Sequence, residues 1–354
     1  MGKRLLILTA GMGAGHDAVA AELARRMARG DVEANVLDVL DLVPLKLGRG
    51  LRRIYGGMIR SAPWLYEGIY RAFFVSRRPP PASPLTALIA DRLDARIREL
   101  PPDAVVSTFH VAAQAAGRLR DAGRLDVPSI VLVTDFAVHR MWLHAGNDRY
   151  LCPDERAART VMERTGRPAS RHAPVVRPEF RRRRGGGNAL REAAGARPGD
   201  RIVLISAGAW GVGRVLETAQ GIAASGRYVP VVLCGRNERL RERVYGPALG
   251  WRDDMPALMA GAYALIDNAA GLTCREAFAC GLPVISYRPI PGHGRDGAAA
   301  MARDGLSCYA RTSGELIGAL DALRDDAVRR ARARKVAALF DAVPAERVIR
   351  SALG

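Results

Sequence analysis

A glycine-rich turn that ends in a histidine is the first stretch of this chain whose residue types suit chemistry. Gly11 to His16 reads G-M-G-A-G-H and follows the apolar run from Leu5 to Leu8. A turn between a strand and a helix presents backbone N–H groups to an anion or a developing charge. An imidazole with an ordinary pKa of about 6.5 exchanges protons at cellular pH. We therefore predict that His16 does acid–base work and precedes a helix from Asp17 to Arg29.

The same turn resembles a dinucleotide-binding fingerprint. Its spacing is G-x-G-x-G-H, however, and the third glycine of G-x-G-x-x-G is missing. Asp38 ends the second predicted strand about 20 residues further on, where such enzymes place the acid that holds a ribose. A dinucleotide enzyme therefore remains an alternative at this point.

A second candidate site lies far downstream. Gly271-Leu272-Thr273-Cys274-Arg275-Glu276 opens a predicted helix, and the loop Arg288 to Gly294 follows the next strand. The glycine and threonine offer N–H groups and a hydroxyl to phosphates, and the Glu276 carboxylate can accept both hydroxyls of a ribose. A first-turn acid is also favoured by the helix dipole alone. The proline- and glycine-rich loop favours the ligand site, because such loops at the carboxyl ends of strands bind ligands in α/β sheets.

A third group of polar residues begins where another predicted strand ends. It comprises Thr134, Asp135, His139, Trp142, His144 and Asp148. The two histidines with Asp135 or Asp148 resemble a metal site, but the spacing H-x4-H without a firm third ligand is weak. We predict a hydrogen-bonded pocket here, with the tryptophan stacking on a sugar or lining a lipid groove.

The elements that must position these residues alternate between β-rich apolar runs and helical stretches, a pattern typical of parallel sheets wrapped by helices. With 354 residues, two α/β domains are expected. The predicted strands are Arg4 to Leu8, Ala34 to Leu37, Ala104 to Ser107, Ile130 to Thr134, Arg149 to Cys152, Ile202 to Ser206, Val229 to Cys234, Ala264 to Ile266, Val284 to Ser286 and Ser307 to Ala310.

The predicted domains are residues 1–176 and 200–340, joined by a linker at 177–199 that is rich in arginine and glycine. A final helix in 341–354 is predicted to cross back to the first domain. An arm at 42–84 interrupts the alternation with aromatic and arginine residues. Tyr66, Tyr70, Phe73 and Phe74 share one helix face, which fits either a membrane-surface helix or a helix packed into the core.

Composition narrows the classes of protein. The net charge is +18, and Lys3, Lys46 and Lys335 are the only lysines. Such a surface favours nucleotides or anionic lipid headgroups, whereas nucleic acid is disfavoured because no binding motif accompanies the charge. The apolar run before Gly11 is too short for a secretory signal, and the five cysteines form no C-x-x-C pair. We expect a cytoplasmic protein with reduced thiols and no metal.

Together these motifs resemble the processive diacylglycerol glucosyltransferases and monogalactosyldiacylglycerol synthases, which are similar to the enzyme that adds N-acetylglucosamine to lipid I. The likeness spans nearly the whole chain and is specific. Its motifs are the G-x-G-H turn, the Asp38 region with the arm, S-T-F-H at 107–110, T-D-F-x-x-H-x-x-W-x-H at 134–144, D-D-M-P-x-L-M-A at 253–260, G-L-T-x-x-E-A-x-A-x-G-L-P at 271–283 and R-P-I-P-G at 288–292.

The resemblance implies a GT-B fold, in which two Rossmann-like α/β domains face each other across a cleft. It implies inverting, metal-independent transfer of a hexose from a UDP-sugar to a lipid hydroxyl at the inner membrane face, without a separate cofactor. His16 is the implied general base, and Asp135 is the alternative base or orients it. The implied donor-binding residues are Ser206, Gly208, Gly213, Gly271, Leu272, Thr273, Glu276, Pro291, Gly292 and His293. The expected acceptor-binding residues are Gly13, Gly15, His139, Trp142, Trp64 and Tyr66.

Two departures from the family pattern leave the donor sugar open. Ala269-Ala270-Gly271 stands where P-G-G is common, and Pro291-Gly292-His293-Gly294 stands where P-G-Q-E is common. Three alternatives to a lipid glycosyltransferase also remain. They are the same chemistry on a small soluble acceptor, a nucleotide-sugar epimerase, and a non-catalytic UDP-sugar binder.

Overall fold

The computed structural model describes residues 2–44, 47–76, 83–181 and 187–354. The chain divides into two compact units. Unit 1 comprises Met1–Val175 and Asp341–Gly354, and unit 2 comprises Val176–Phe340.

Unit 1 is built on a six-stranded parallel sheet with the strand order β2-β1-β3-β4-β5-β6. The strands are β1 Lys3–Thr9, β2 Val32–Asp38, β3 Ala104–Ser107, β4 Ser129–Leu132, β5 Arg149–Cys152 and β6 Ala169–Arg171. The five strands predicted for this half are confirmed within two residues at each end. The sixth, β6, was not predicted, since A-S-R carries no apolar run. Thr9 pairs with Asp38 and Leu8 with Ser107, so the carboxyl ends of the first three strands lie together.

Helices cover both faces of this sheet because each parallel strand must cross over to the next. The crossover helices are α1 Ala14–Met27, α2 Leu47–Ser61, α3 Pro63–Tyr70, α4 Pro84–Glu99, α5 His110–Asp121 and α6 Glu155–Thr165. The buried alanines of α5 let that helix lie close against α4, which buries Ile89 and Leu93. Helix α1 begins three residues before the predicted start, at Ala14, so His16 belongs to its first turn.

The arm divides its aromatic residues between the core and the surface. Tyr66 and Tyr70 are buried, whereas Trp64 is 74% exposed and Phe73 is exposed. A π turn at Arg71–Val75 follows α3. Phe74 stacks on Tyr70 with ring centroids 4.8 Å apart, whereas Phe73 is exposed. The single aromatic face predicted for 66–74 is therefore wrong. Residues 45–46 and 77–82 of the arm lie outside the described residues.

Unit 2 has a second parallel sheet of six strands in the order β12-β11-β10-β7-β8-β9. The strands are β7 Ile202–Ser206, β8 Val229–Leu233, β9 Ala248–Leu249, β10 Ala264–Asp267, β11 Val284–Tyr287 and β12 Ser307–Ala310. The predicted strands of this half are confirmed, and the two-residue β9 was not predicted. Its helices are α7 Gly187–Ala194, α8 Val215–Ala223, α9 Glu238–Arg243, α10 Met255–Ala260, α11 Leu272–Ala279, α12 His293–Arg303, α13 Ser313–Ala322 and α14 Asp326–Phe340.

The segment predicted as a linker, residues 177–199, is structured wherever it is described. Pro178–Phe180 form a 3-10 turn, and α7 packs against α10 with Leu190 fully buried. Composition suggested a linker because arginine and glycine dominate the first half of the segment, whereas Leu190 and Ala194 supply the apolar face that the helix buries. Residues 182–186 lie outside the described residues.

The last helix, α15 Ala345–Leu353, belongs to unit 1 and packs against α1. Ile349 is fully buried, and Arg350 donates to the backbone carbonyls of Met27 at 2.7 Å and Gly30 at 3.0 Å. The guanidinium thereby binds the exposed carbonyls at the carboxyl end of α1, where a cation also complements the helix dipole. Within the described ranges, no helix is both long enough and apolar enough to cross a membrane.

Candidate active site

In unit 1 the direction of strand addition reverses between β1 and β3, which is the topological switch point where α/β sheets bind ligands. The turn after β1 carries His16, and Thr108 follows β3. His16 Nδ1 lies 3.2 Å from the Thr108 carbonyl oxygen and 2.8 Å from Thr134 Oγ1, beyond the end of β4. The predicted base therefore sits at the switch point and contacts the ends of two neighbouring strands.

These contacts assign the tautomer of His16. A carbonyl oxygen can only accept, and Thr134 Oγ1 itself donates to the same Thr108 oxygen at 3.2 Å. His16 Nδ1, Thr134 Oγ1 and the Thr108 carbonyl oxygen all have hydrogen-bond partners when Nδ1 carries the proton and donates it to Thr134 Oγ1 or the Thr108 oxygen. The lone pair is then on Nε2, which is the arrangement a general base requires.

The turn itself is held by the end of β2. Asp38 Oδ2 accepts the N–H of Gly11 at 2.8 Å and a hydrogen bond from Arg52 Nη2 at 2.5 Å. Arg52 lies on α2, the first helix of the arm, and also pairs with Asp41 at 2.8 Å. Asp38 is therefore engaged in fixing the turn. The predicted site residue Gly13 has φ +120° and precedes α1, whereas Gly15 lies within its first turn.

Asp135, the alternative base, is bound by two side chains. Trp142 Nε1 donates to its Oδ2 at 2.8 Å, and His139 Nε2 lies 3.3 Å from the same oxygen. Both partners are buried, Trp142 completely. Trp142, which is expected to contact the acceptor, is completely buried, and its indole N–H donates to the Asp135 carboxylate, whose side chain is 20% exposed.

Aromatic rings connect His16 to the arm. His16 meets Phe109 edge-on at 4.9 Å, and the neighbouring His110 lies 5.2 Å from His139. Phe74 contacts His110 and His139, with ring centroids 5.2 and 4.6 Å apart, respectively. The end of the arm thus forms one wall around the residues expected to receive the acceptor. Of the two arm residues expected to bind it, Tyr66 is buried and Trp64 is at the surface.

His144 and Asp148, the last two members of the third polar group, are engaged in hydrogen bonds within unit 1. His144 Nδ1 accepts the N–H of Gly146 at 3.0 Å, and burial lowers the pKa of the imidazole. Asp148 pairs with Arg120 at 3.0 Å and accepts the N–H of Ser129 at 2.8 Å. Among the residues that the structure describes, no group of three or more His, Cys, Asp or Glu is arranged to hold a metal ion.

In unit 2 the switch point lies between β7 and β10, and three predicted donor-site loops follow the ends of β7, β10 and β11. The helices after these loops begin at residues 215, 272 and 293. Adjacent parallel strands bring their carboxyl ends to one edge of the sheet, so the predicted residues of all three loops lie at that edge. They are Ser206, Gly208, Gly213, Gly271, Leu272, Thr273, Pro291, Gly292 and His293.

Glycine is required at particular positions of these loops. Gly208, Gly213 and Gly292 have φ values of +64°, +98° and +72°, which other residues rarely adopt. Ala270 has φ +50° without being glycine, at a position where the related pattern has glycine. Asp267 stabilises this backbone, since its Oδ2 accepts the N–H groups of Ala269 at 2.9 Å and Ala270 at 2.6 Å.

Glu276 lies one turn inside α11. Burial raises the pKa of its carboxyl to about 7, and the positive charge of Arg177 acts in the opposite direction. A raised pKa at the predicted ligand edge favours a functional role for Glu276.

Comparison with known proteins agrees with this geometry. Residues 16–174 match the family model of monogalactosyldiacylglycerol (MGDG) synthase. A processive diacylglycerol beta-glucosyltransferase from Bacillus cereus (strain AH187) is 25% identical over 98% of the chain and 92% of its own length. MurG of Acinetobacter baumannii superposes with a TM-score of 0.57 at 15% identity, over 99% of both chains. Alr3699/HepE of Anabaena, solved with UDP-glucose, gives 0.58 at 14% identity over 99% and 98%.

The chain is a glycosyltransferase with a GT-B fold. Its predicted resemblance to the MGDG synthases and processive diacylglycerol glucosyltransferases is confirmed. The family model covers the part of the chain that contains His16, Asp135, His139 and the arm. The dinucleotide alternative finds no support among these relatives.

Sequence reasoning did not assign a function to several residues that shape the two sites of this glycosyltransferase. Thr108 and Thr134 fix His16, and Asp267 and Asn268 fix the loop after β10. Thr108 and Asn268 directly follow buried strands, Thr134 lies two residues beyond β4, and Asp267 is the last residue of β10. In each case the available signal was a polar residue at the end of a buried strand. In addition, Arg236 lies 4.1 Å from the ring centroid of the exposed Trp251, so this pair offers a flat surface beyond the ends of β8 and β9.

Proposed function

We propose that this glycosyltransferase transfers a hexose from a UDP-sugar to a hydroxyl of a diacylglycerol-type lipid, with inversion and without a metal ion. The observation that carries the proposal is His16, whose Nδ1 is held by Thr108 and Thr134 so that the lone pair of the imidazole is on Nε2. This histidine lies within the segment that matches the MGDG synthase model.

In the proposed reaction, His16 Nε2 takes the proton of the acceptor hydroxyl as the oxygen attacks the anomeric carbon of the sugar. The bond between that carbon and the β-phosphate oxygen breaks, and UDP leaves with the bonding electrons. One displacement at carbon inverts its configuration. Asp135, already bound to Trp142 and facing His139, is assigned to fixing the wall of the acceptor site rather than to proton transfer.

Unit 2 is proposed to hold the donor. The Glu276 carboxylate accepts the ribose hydroxyls, and the N–H groups at the start of α11 with the Thr273 hydroxyl receive the diphosphate. Helix N-termini and backbone N–H groups supply partial positive charge to the leaving UDP. In such a site the developing charge is stabilised without a cation.

A lipid acceptor is favoured over a soluble one by the exposed apolar residues of the arm. Leu47, Ile54, Trp64, Leu65, Ile69, Phe73 and Val75 are exposed. They occur among exposed arginines such as Arg53 and Arg71, a combination that fits the interface of an anionic membrane. We therefore propose peripheral attachment to the inner face of the cell membrane through this arm.

The test of the reaction is incubation of the purified enzyme with UDP-glucose or UDP-galactose and diacylglycerol in mixed micelles, with products identified by mass spectrometry. A glycosyl-diacylglycerol should form, and His16→Ala should abolish it while UDP binding is retained. His144→Ala is the matched control, since it removes another partly buried histidine of unit 1 without removing the base. Full activity of His16→Ala would eliminate the proposed base.

The same incubation distinguishes the alternative functions. Conversion of the donor without any acceptor would indicate an epimerase, and UDP-sugar binding without any product would indicate a non-catalytic binder.

The test of the membrane proposal is sedimentation with vesicles that contain phosphatidylglycerol. The double variant Ile54→Ser and Trp64→Ser should bind at least tenfold more weakly than the wild type, because it loses two apolar anchors. Tyr245→Ser is the control, since Tyr245 is 92% exposed but belongs to unit 2. Equal sedimentation of the double variant and the wild type would favour a soluble acceptor.

A further inference from the structure

Asn268 occupies a central position in the donor half of the molecule. It is the first residue after β10, and β10 lies between β11 and β7 in the sheet. The residue is only 6% exposed. A side chain at this place is flanked on both sides by the loops that follow the neighbouring strands.

Asn268 is bonded to both of those loops. Its side-chain Nδ2 donates to the backbone carbonyl of Val212, in the loop after β7, at 2.8 Å. Its backbone carbonyl accepts the N–H of Ile290, in the loop after β11, at 2.8 Å. One residue therefore connects the three loops of the unit 2 ligand edge, and the Asn268–Val212 bond spans the switch point.

The surrounding backbone leaves room for this amide. A Cβ at Gly213, whose φ is +98°, would overlap Asn268 Nδ2, and a Cβ at Gly294 would lie 3.1 Å from the Asn268 carbonyl oxygen and 2.5 Å from Ile290 Cγ1. Two glycines therefore keep the space that the three-loop connection needs. A larger residue at either position must displace Asn268 or its partner.

The other contacts of the loop after β7 show what the Asn268 bond adds. Asn237 follows β8, on the other side of this loop. Its Nδ2 donates to the backbone carbonyls of Trp210 and Gly211, both at 3.3 Å. Asn268 fixes the next residue, Val212, from the side of β10. The glycine-rich turn is thus bound from both neighbouring strands, and the contact nearest to α8 is that of Asn268.

We propose that Asn268 is a positioning residue that sets the spacing of the three loops around the diphosphate of the donor. The inference rests on the proposed use of unit 2 as a UDP-sugar site and adds the residue that preorganises it. Preorganised N–H groups are effective because no free energy is required to reorient them when charge develops on the leaving group. Asn268 itself acts through Val212 and Ile290.

The proposal predicts that changes at Asn268 affect binding of the diphosphate but not binding of the nucleoside. Asn268→Asp keeps the shape but places a carboxylate oxygen against the Val212 carbonyl, so the loops should separate. UDP binding should weaken at least tenfold, whereas the affinity for uridine should change by less than twofold. Gly213→Ala should reproduce this pattern with the asparagine still present, because the added methyl group displaces the amide.

The experiment is calorimetric titration of the full-length enzyme and its variants with UDP, UMP and uridine, together with thermal unfolding. Asn147→Asp is the matched control. Asn147 is a fully buried amide of unit 1 that donates to the Ala113 carbonyl at 3.1 Å, so its replacement should lower stability without changing the UDP dissociation constant.

Three results would overturn the proposal. In the first, Asn268→Asp and Gly213→Ala lower the melting temperature while the folded protein binds UDP as tightly as the wild type. In the second, uridine and UDP affinities fall by the same factor, which indicates general damage to the site. In the third, the wild type binds no uridine nucleotide, and then the proposed donor site fails together with the inference. The first result, in which the wild type still binds UDP, refutes the positioning role alone and leaves the proposed donor site intact.

Discussion

Replacement of Glu276 by glutamine should stabilise the protein, and should do so only at high pH. Burial raises the pKa of this carboxyl from 4.5 to about 7, so the folded state penalises the ionised form. A folded-state pKa above the unfolded value means that the stability contribution is complete below about pH 4.5 and is lost as the pH rises through about 7. Glutamine has a similar shape and carries no charge at any of these pH values.

The magnitude follows from the shift. One pKa unit corresponds to about 1.4 kcal/mol, so raising the pKa from 4.5 to about 7 sets an upper limit of about 3.5 kcal/mol. Glu276→Gln should therefore exceed the wild type in stability by up to about 3.5 kcal/mol at pH 8.5 and by less than about 0.5 kcal/mol at pH 4.5. For a unit of this size, each kcal/mol corresponds to about 2–4 °C in melting temperature.

The assay is scanning calorimetry at both pH values, following the transition that UDP shifts in the wild type. Glu238→Gln is the control, because Glu238 is an exposed carboxylate of the same unit that pairs with Arg241 at 2.6 Å. It should change stability by less than about 0.5 kcal/mol at either pH. An equal difference between Glu276→Gln and wild type at both pH values would show that the folded state does not raise the pKa of this carboxyl.

The same shift predicts a pH dependence of donor binding. Ribose hydroxyls donate to the ionised carboxylate, so under the proposed function bound UDP lowers the pKa of Glu276. UDP affinity should fall below about pH 7 by up to tenfold per pH unit, and binding near pH 6 should release a proton. Calorimetry in buffers of different ionisation enthalpy measures that release. Thymidine diphosphate lacks the 2′-hydroxyl and should bind more weakly, whereas pH-independent UDP binding would contradict the ribose role.

Three further predictions concern unit 1. Thr134→Val should lower kcat roughly tenfold, equivalent to about 1.4 kcal/mol, and shift the acid limb of the pH–rate profile, since the His16 tautomer loses its support; Thr134→Ser should restore both. Arg52→Gln should reduce the rate on vesicle-dispersed acceptor severalfold, because Asp38 loses its link to the arm, while calorimetry should show unchanged UDP binding. Arg350→Met should lower the free energy of unfolding by about 1.5–3 kcal/mol in urea titrations without changing kcat, and an unchanged urea midpoint would refute its role at the end of α1.

The strands were predictable because parallel strands that are buried on both faces are continuous apolar runs. Two such runs, Val203 to Ile205 and Val105 to Val106, are almost completely buried. Their sequences do not alternate between apolar and polar residues, so they are assigned as strands by apolar character alone. The short edge strands β6 and β9 lack such runs, so their pairing depends on neighbours that the local sequence does not reveal.

The site residues divide in a similar way. His16 and Glu276 are predicted from the sequence because histidine and glutamate have distinctive chemistry at the end of a glycine-rich turn. Asn268 was missed, since asparagine after a strand is an ordinary turn residue and its long-range bond to Val212 is a tertiary event. Trp142 was assigned to substrate because of its type, whereas its position in the fold directs the indole at Asp135. The π turn at Arg71–Val75 likewise depends on packing that helical periodicity does not encode.

In both units, a contact between a side chain and a backbone carbonyl spans the gap between adjacent loops at the switch point. Where the direction of strand addition reverses, the connections leave to opposite sides of the sheet and a gap opens between two adjacent loops. In unit 1 the gap between β1 and β3 is spanned by the contact of His16 with the Thr108 carbonyl, and in unit 2 the gap between β7 and β10 is spanned by Asn268 and the Val212 carbonyl. In both units a side-chain nitrogen from one loop binds a backbone carbonyl of the other. The difference is that the His16 imidazole has a second ring nitrogen, which we propose as the base, whereas the Asn268 amide is used in fixing the loops. This contrast explains why we assign proton transfer to unit 1 and preorganised binding to unit 2.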